Sequence, residues 1–233
     1  VTGNIAAKED SMSELMIIGM PRSSLTRTAR IACIEKEIPF EFSTRNVQLP
    51  GQSPTPEVSN RNPFGKVPVL VHGKLVLYET AAICRYIDDT FSGPLLRPVH
   101  TEKIAVMNQW ISLAMTRLDQ NIIRNFVIPM VFADTKQRHD PGFAVRMKQM
   151  GDLIAHDLGV LDDAYVDGWL FGDRFTIPDM MIMPMLHYLY AMPGGPEMIE
   201  NAPNVKTAFT RFKARSSAAQ TDPLLPDQIL KSA

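Results

Sequence analysis

Cysteine is scarce in this chain: its 233 residues include two, Cys33 and Cys84. They form neither a Cys-x-x-Cys pair nor a disulfide framework. Asn-x-Ser/Thr sequons are missing as well. Both absences point to a reducing compartment, so the expected location is cytoplasmic. An excess of one charge is also lacking. Twenty-four Lys and Arg stand against 25 Asp and Glu, a net charge of −1, with the two signs interspersed. That argues against a polyanion-binding surface, and no nucleic-acid partner is expected. No uninterrupted apolar run approaches the roughly 18 residues that a membrane helix needs, so no membrane is expected either. His139, His156 and His187 have no acid or cysteine at metal-ligand spacing, and no metal is assigned. The first residues lack apolar periodicity and the apolar core of a signal peptide. Residues 1–12 are therefore read as an added or unstructured leader, with Met12 as the native start.

What is there falls into two parts. Leu15 to Gly19 reads as a short strand, followed by the turn Met20-Pro21-Arg22-Ser23-Ser24. A helix comes next, with Leu25, Ala29, Ala32 and Cys33 at helical spacing. Phe40 to Thr44 alternates as a second strand. Gln48 to Ser59, rich in proline, reads as a loop with at most one short helix. Two further strands and a helix from Glu79 to Phe91 complete a unit over residues 13–92. The right-handed crossover rule makes the first two strands parallel. Residues 93–98, with Gly93, Pro94 and Pro98, read as a linker. Residues 99–233 read as all-helical, with helices near 101–131, 141–166, 177–191 and 205–214. Within that part, Phe175-Thr176-Ile177-Pro178-Asp179-Met180 has the pattern of a capping box with a hydrophobic staple.

The most informative stretch is Asn62-Pro63-Phe64-Gly65-Lys66-Val67-Pro68-Val69-Leu70, followed by Tyr78-Glu79-Thr80-Ala81-Ala82-Ile83. Pro68 interrupts an apolar run in which it donates no ladder bond. This leaves free backbone groups beside Pro68 within reach of a helix N-terminus at Thr80. The first suits an extended peptide and the second a carboxylate, so a small peptide with a free carboxylate satisfies both.

These residues resemble the glutathione-binding half of the cytosolic glutathione transferases. The two-part organisation is similar to that family over nearly all of the chain after Met12. The resemblance implies a thioredoxin-like α/β N-terminal domain followed by an all-α C-terminal domain. It also implies a cis bond before Pro68, Val67 pairing its backbone with the cysteinyl unit of glutathione, and Glu79 and Thr80 holding the γ-glutamyl end. Lys66 sits where the family often faces the glycyl carboxylate, with a solvated surface lysine as the alternative. In the phi class a His-Lys pair serves that carboxylate. Here the matching stretch is Gln52-Ser53-Pro54, which leaves Gln52 or Ser53 as a neutral donor.

The resemblance further implies a group that ionises the glutathione thiol. A cysteine thiol titrates near ~8.5, and lowering that by about two units takes roughly 2.7 kcal/mol. A hydroxyl bonded to the thiolate supplies about 1.5–3 kcal/mol, aided by a helix start. The first strand carries no tyrosine, and the turn after it carries no cysteine. Ser23 matches both the phi pattern, a serine three residues before Thr26-Arg27, and the zeta pattern Arg22-Ser23-Ser24. Ser24 and then Thr26 stand as alternatives, and either serine also suits a plain helix cap. The implied activity is conjugation of the glutathione thiolate to small hydrophobic electrophiles, with a homodimer as the expected assembly. Met107, Trp110, Met115, Phe126, Met130 and Phe132 are candidates for the second-substrate pocket or for plain core. A glutathione-dependent isomerase, peroxidase or ether-cleaving enzyme, or a non-catalytic protein of the same fold, is the alternative.

Overall fold

The computed structural model describes residues 15–44 and 53–223. Strand β1 (Leu15–Ile18) leads through a turn into helix α1 (Ser24–Glu35), and β2 (Glu41–Ser43) returns parallel to β1, with Met16 opposite Glu41. The short helix α2 (Pro56–Ser59) precedes β3 (Val69–His72) and β4 (Leu75–Tyr78), an antiparallel pair with Val69 opposite Tyr78. Helix α3 (Thr80–Thr90) follows, and the sheet order is β2-β1-β3-β4. This is the expected mixed sheet. Strand alternation gives it two apolar faces. Leu15, Ile17 and Leu70 join Ile83 and Ile87 of α3 in the main core, while Ile18 and Val69 face the other way and are closed by Val58 of α2. Cys33 and Cys84 lie fully buried in that main core.

The expected single helix from Thr101 to Val131 is more complex. An α-helical part, α4 (Thr101–Leu113), passes into a π-helical segment (Ala114–Val127) and then α5 (Ile128–Phe132). In a π-helix the repeating bond joins residues five apart. Accordingly Arg124 Nε meets Asp119 Oδ2 at 2.8 Å, five residues back on the same face. Sequence periodicity tuned to 3.6 residues does not reveal such a segment. Beyond it come α6 (Thr135–Arg138), α7 (Pro141–Ala164), α8 (Ile177–Tyr190), α9 (Gly195–Glu200), α10 (Pro203–Lys213) and α11 (Ser216–Gln220). The short helices α6, α9 and α11 are additional to the four expected.

Helix α8 is buried on every side from Ile177 to Leu186, which makes it the central post of the molecule. Its start has the predicted pairing: Asp179 Oδ2 accepts from the Thr176 N–H at 2.8 Å and from the Thr176 hydroxyl at 2.6 Å. Burial raises the Asp179 carboxyl to about 6. Four residues after Met180, Pro184 interrupts the helix and has no N–H to give the Met180 carbonyl. Helix α1 fills that gap: the Thr28 hydroxyl reaches the Met180 carbonyl at 3.0 Å while staying within reach of its own Ser24 carbonyl at 3.1 Å. A second tie is the buried pair Lys36 Nζ–Asp88 Oδ1 at 2.8 Å, where Asp88 also accepts the Leu96 N–H.

Thr28→Val strands the buried Met180 carbonyl and should cost about 1–3 kcal/mol in urea unfolding. In a Pro184→Ala background the helix supplies its own N–H, so the same change should cost less than about 0.5 kcal/mol. Equal costs in the two backgrounds would reject this pairing.

Candidate functional site

The end of β1 is shaped by Gly19. A first side-chain carbon there would lie 2.4 Å from Thr26 Cγ2, so only glycine lets α1 pack this close to the strand. The chain then turns through Met20 to Ser23, closed by the Ser23 N–H donating to the Met20 carbonyl at 3.0 Å. Ser23 is the N-cap of α1, with φ −82° and ψ 122°, and its Oγ accepts from the Thr26 N–H at 3.2 Å. The cap role anticipated for a serine here is thus present. It occupies the oxygen as an acceptor only. Among the described residues no acceptor takes the Ser23 proton, and Ser23 is half-exposed. Ser24 is different: it is the first residue of α1 and is buried, as is Thr26, whose hydroxyl has no partner among the described residues.

The loop before β3 is pinned by Asn62. Its buried amide accepts from the Phe64 N–H at 3.0 Å and donates to the Lys66 carbonyl at 2.8 Å. Gly65 takes φ +62° against Pro54, where a side chain would strike the proline ring. The Val67–Pro68 bond is cis, as the resemblance implied. The β3 register begins at Val69, so the Val67 backbone lies ahead of the ladder. Val67 is half-buried, Pro68 is buried, and Lys66 and Ser53 are exposed. Gln52 lies outside the described residues.

At the end of β4, Glu79 adopts φ +72° and ψ +112°. A non-glycine residue in such a conformation costs of order 1–3 kcal/mol and is held only by its surroundings. Thr80 opens α3 directly after it. Thr80 is 2% exposed, and its Oγ1 has no partner among the described residues. A buried, unsatisfied hydroxyl at a helix start is costly in isolation and is relieved by a ligand oxygen.

Register brings the three pieces to one end of the sheet. Ile18 of β1 lies opposite Val69 of β3, and Val69 lies opposite Tyr78 of β4. The Ser23 turn, the Val67–Pro68 bond and the Glu79–Thr80 step therefore leave the sheet from the same row.

Sequence reasoning missed the side chains that reach this row from α8. The Tyr188 hydroxyl donates to the Arg22 carbonyl at 2.7 Å. Arg27, fully buried, gives Nε to Thr221 Oγ1 at 3.1 Å and Nη2 to the Ala218 carbonyl at 3.2 Å. Its Nη1 lies 2.9 Å from His187 Nδ1. A guanidinium only donates, so Nδ1 accepts and the imidazole is neutral there. Burial first, and Arg27 second, lower His187 to about 4, while burial lowers Arg27 to about 10 and leaves it charged at neutral pH. These contacts join residues 160 and 166 positions apart, which no local pattern encodes. No cluster of metal-ligating side chains is found among the described residues. Of the apolar pocket candidates, Met107 and Phe126 are buried in the core, Trp110, Met115 and Met130 are half-buried, and Phe132 is exposed.

Comparison with known proteins agrees with this layout. The family model for the glutathione S-transferase N-terminal domain matches residues 17–95, and that for the C-terminal domain matches residues 129–220. Glutathione S-transferase F6 of Arabidopsis thaliana is 27% identical over 213 residues, covering 89% of this chain and 98% of that protein. A glutathione S-transferase of Hyoscyamus muticus is 30% identical over 162 residues, covering 66% of this chain and 73% of its own length. Poplar glutathione transferase F1 superposes with a TM-score of 0.76 at 23% identity, covering 94% of this chain and 99% of that one. With both halves matched in order, and the mixed sheet and helical remainder in the same arrangement, the chain belongs to the glutathione S-transferase family.

Proposed function

We propose that Ser23, Val67, Glu79 and Thr80 carry this chain's reaction as a glutathione transferase, the conjugation of the glutathione thiolate to small hydrophobic electrophiles. Glutathione is the co-substrate. The observation that carries the reading is the unpartnered Thr80 hydroxyl at the start of α3, in the same row as Ser23. Adjacent strands lie about 4.8 Å apart, so the row from Ile18 to Tyr78 spans roughly 10 Å. A tripeptide in extended form reaches about the same distance. Its γ-glutamyl carboxylate meets Thr80 Oγ1 and the positive end of α3, and the strained Glu79 backbone turns the chain toward that end. The cysteinyl backbone pairs with Val67, and the sulfur arrives at Ser23. There the free hydroxyl proton and the first N–H groups of α1 favour the thiolate. Lys66 and Pro68 complete the glutathione cradle, with Gln52 or Ser53 toward the glycyl end. Ser24, buried within α1, takes the lesser role.

The functional unit is proposed to be a homodimer. The edge strand β4 exposes Leu75 and Val76, and Phe64 stands 69% exposed against Tyr78, an apolar surface beside α3 that a monomer leaves in water. Residues 93–98 are taken as the linker between the two domains. No helix among the described residues is long and apolar enough to cross a membrane, and a cytoplasmic location is proposed.

Three measurements test this reading. Thr80→Ala and Glu79→Ala should each weaken glutathione binding by calorimetry, Thr80→Ala by about tenfold for a lost charged hydrogen bond. Unchanged affinity in both rejects the cradle. Ser23→Ala should raise the bound thiol's pKa and cut turnover roughly ten- to 150-fold, with affinity held within a few-fold. A pKa moved by Ser24→Ala and not by Ser23→Ala would select the other serine. Light scattering at micromolar concentration should give twice the chain mass, and a stable monomer would refute the dimer.

A further inference from the structure

We propose that Tyr188 is a positioning residue for this reaction: its hydroxyl, acting through the Arg22 carbonyl, holds the peptide plane that aims Ser23 at the sulfur. The inference rests on the reading of Ser23 given above. The Arg22 carbonyl and the Ser23 N–H belong to one rigid peptide unit. Its N–H end is held within the turn by the Met20 carbonyl at 3.0 Å. Its carbonyl end is held by Tyr188 at 2.7 Å. One hydrogen bond leaves a plane free to rock, whereas two on opposite ends fix its tilt and therefore the direction of the Ser23 Cα–Cβ bond.

The neighbouring residue reinforces the arrangement. His187 binds Arg27, one helical turn beyond Ser23, so consecutive residues of α8 hold the chain on both sides of the serine, in the turn and in α1. The grip has a rigid base, because α8 is packed on all sides and accepts the Thr28 hydroxyl at Met180. Tyr188 is not itself the thiolate's partner. It is 6% exposed, its proton is committed to a carbonyl, and burial pushes its ionisation well above the ordinary tyrosine value. A hydroxyl so placed orients another group and does no proton chemistry of its own.

The test compares Tyr188→Phe with Thr28→Val. Each removes one hydrogen bond between α1 or its turn and α8, but only the first touches the Ser23 peptide. Glutathione and an aryl halide serve as substrates, and the bound thiol is titrated by thiolate absorbance. Tyr188→Phe should raise the bound thiol's pKa by about half to one unit and lower kcat roughly three- to tenfold, with the KM for glutathione within about twofold. Thr28→Val should lower the unfolding midpoint and leave the thiol pKa in place. In a Ser23→Ala background, Tyr188→Phe should add no further shift. The proposal is overturned if Tyr188→Phe changes stability alone, as Thr28→Val does. A shift that persists undiminished without Ser23 overturns it too, since Tyr188 would then reach the sulfur by another route. Failure of the Ser23 reading shows separately, as an unmoved thiol pKa in Ser23→Ala by itself.

Discussion

The contact between α1 and α8 is the one on which the rest of the molecule depends. It is apolar along most of its length, and in such a setting each polar group must find a partner within the protein. Pro184 creates a need by withdrawing an N–H, and Thr28 meets it from the other helix. Arg27 brings a charge into the same contact and spreads it over a carbonyl, a hydroxyl and an imidazole. Each requirement has few geometric solutions, so together they fix how α1 lies against α8. Because Ser23 caps α1 and Tyr188 reaches the peptide just before it, the docking of α8 also bears on where the candidate site begins.

The site is recognisable by what its surroundings leave unfinished. At many interior positions polar groups are paired, as at Arg27 and Asp179. Along the row formed by the ends of β1 and β4 and the start of β3, the pattern reverses. Thr80 keeps a buried hydroxyl without a partner, and Glu79 holds a conformation that its side chain disfavours. A protein selected for stability alone would relieve both. Their persistence at one end of the sheet is consistent with a ligand that supplies the missing oxygen atoms.

Much of this was legible in the sequence because the decisive signals are local. The strand broken at Pro68, the short apolar run of β1 and the Thr176–Asp179 spacing each lie within a few residues. The π-helical segment was not legible, since its apolar residues also satisfy an α-helical period and the choice between the two is made by packing and by Asp119–Arg124. The short helices α6, α9 and α11 were missed because four to six residues carry no periodicity that can be measured. Tyr188 and His187 were invisible as site residues for another reason. Their partners are brought near by the docking of α8 on α1, and a linear pattern holds no record of that.

The burial of Cys33 and Cys84 acquires a meaning from the chemistry around it. An enzyme that presents a thiolate to electrophiles works among reagents that alkylate any exposed thiolate, its own included. Burial pushes Cys84 up to about 12 and Cys33 higher still. At neutral pH both therefore stay protonated. Neither sulfur is open to solvent, so both are shielded from the thiol the enzyme handles and from the electrophiles it modifies. The reactive sulfur is the borrowed one, and burial withholds the chain's own two from the electrophiles it handles.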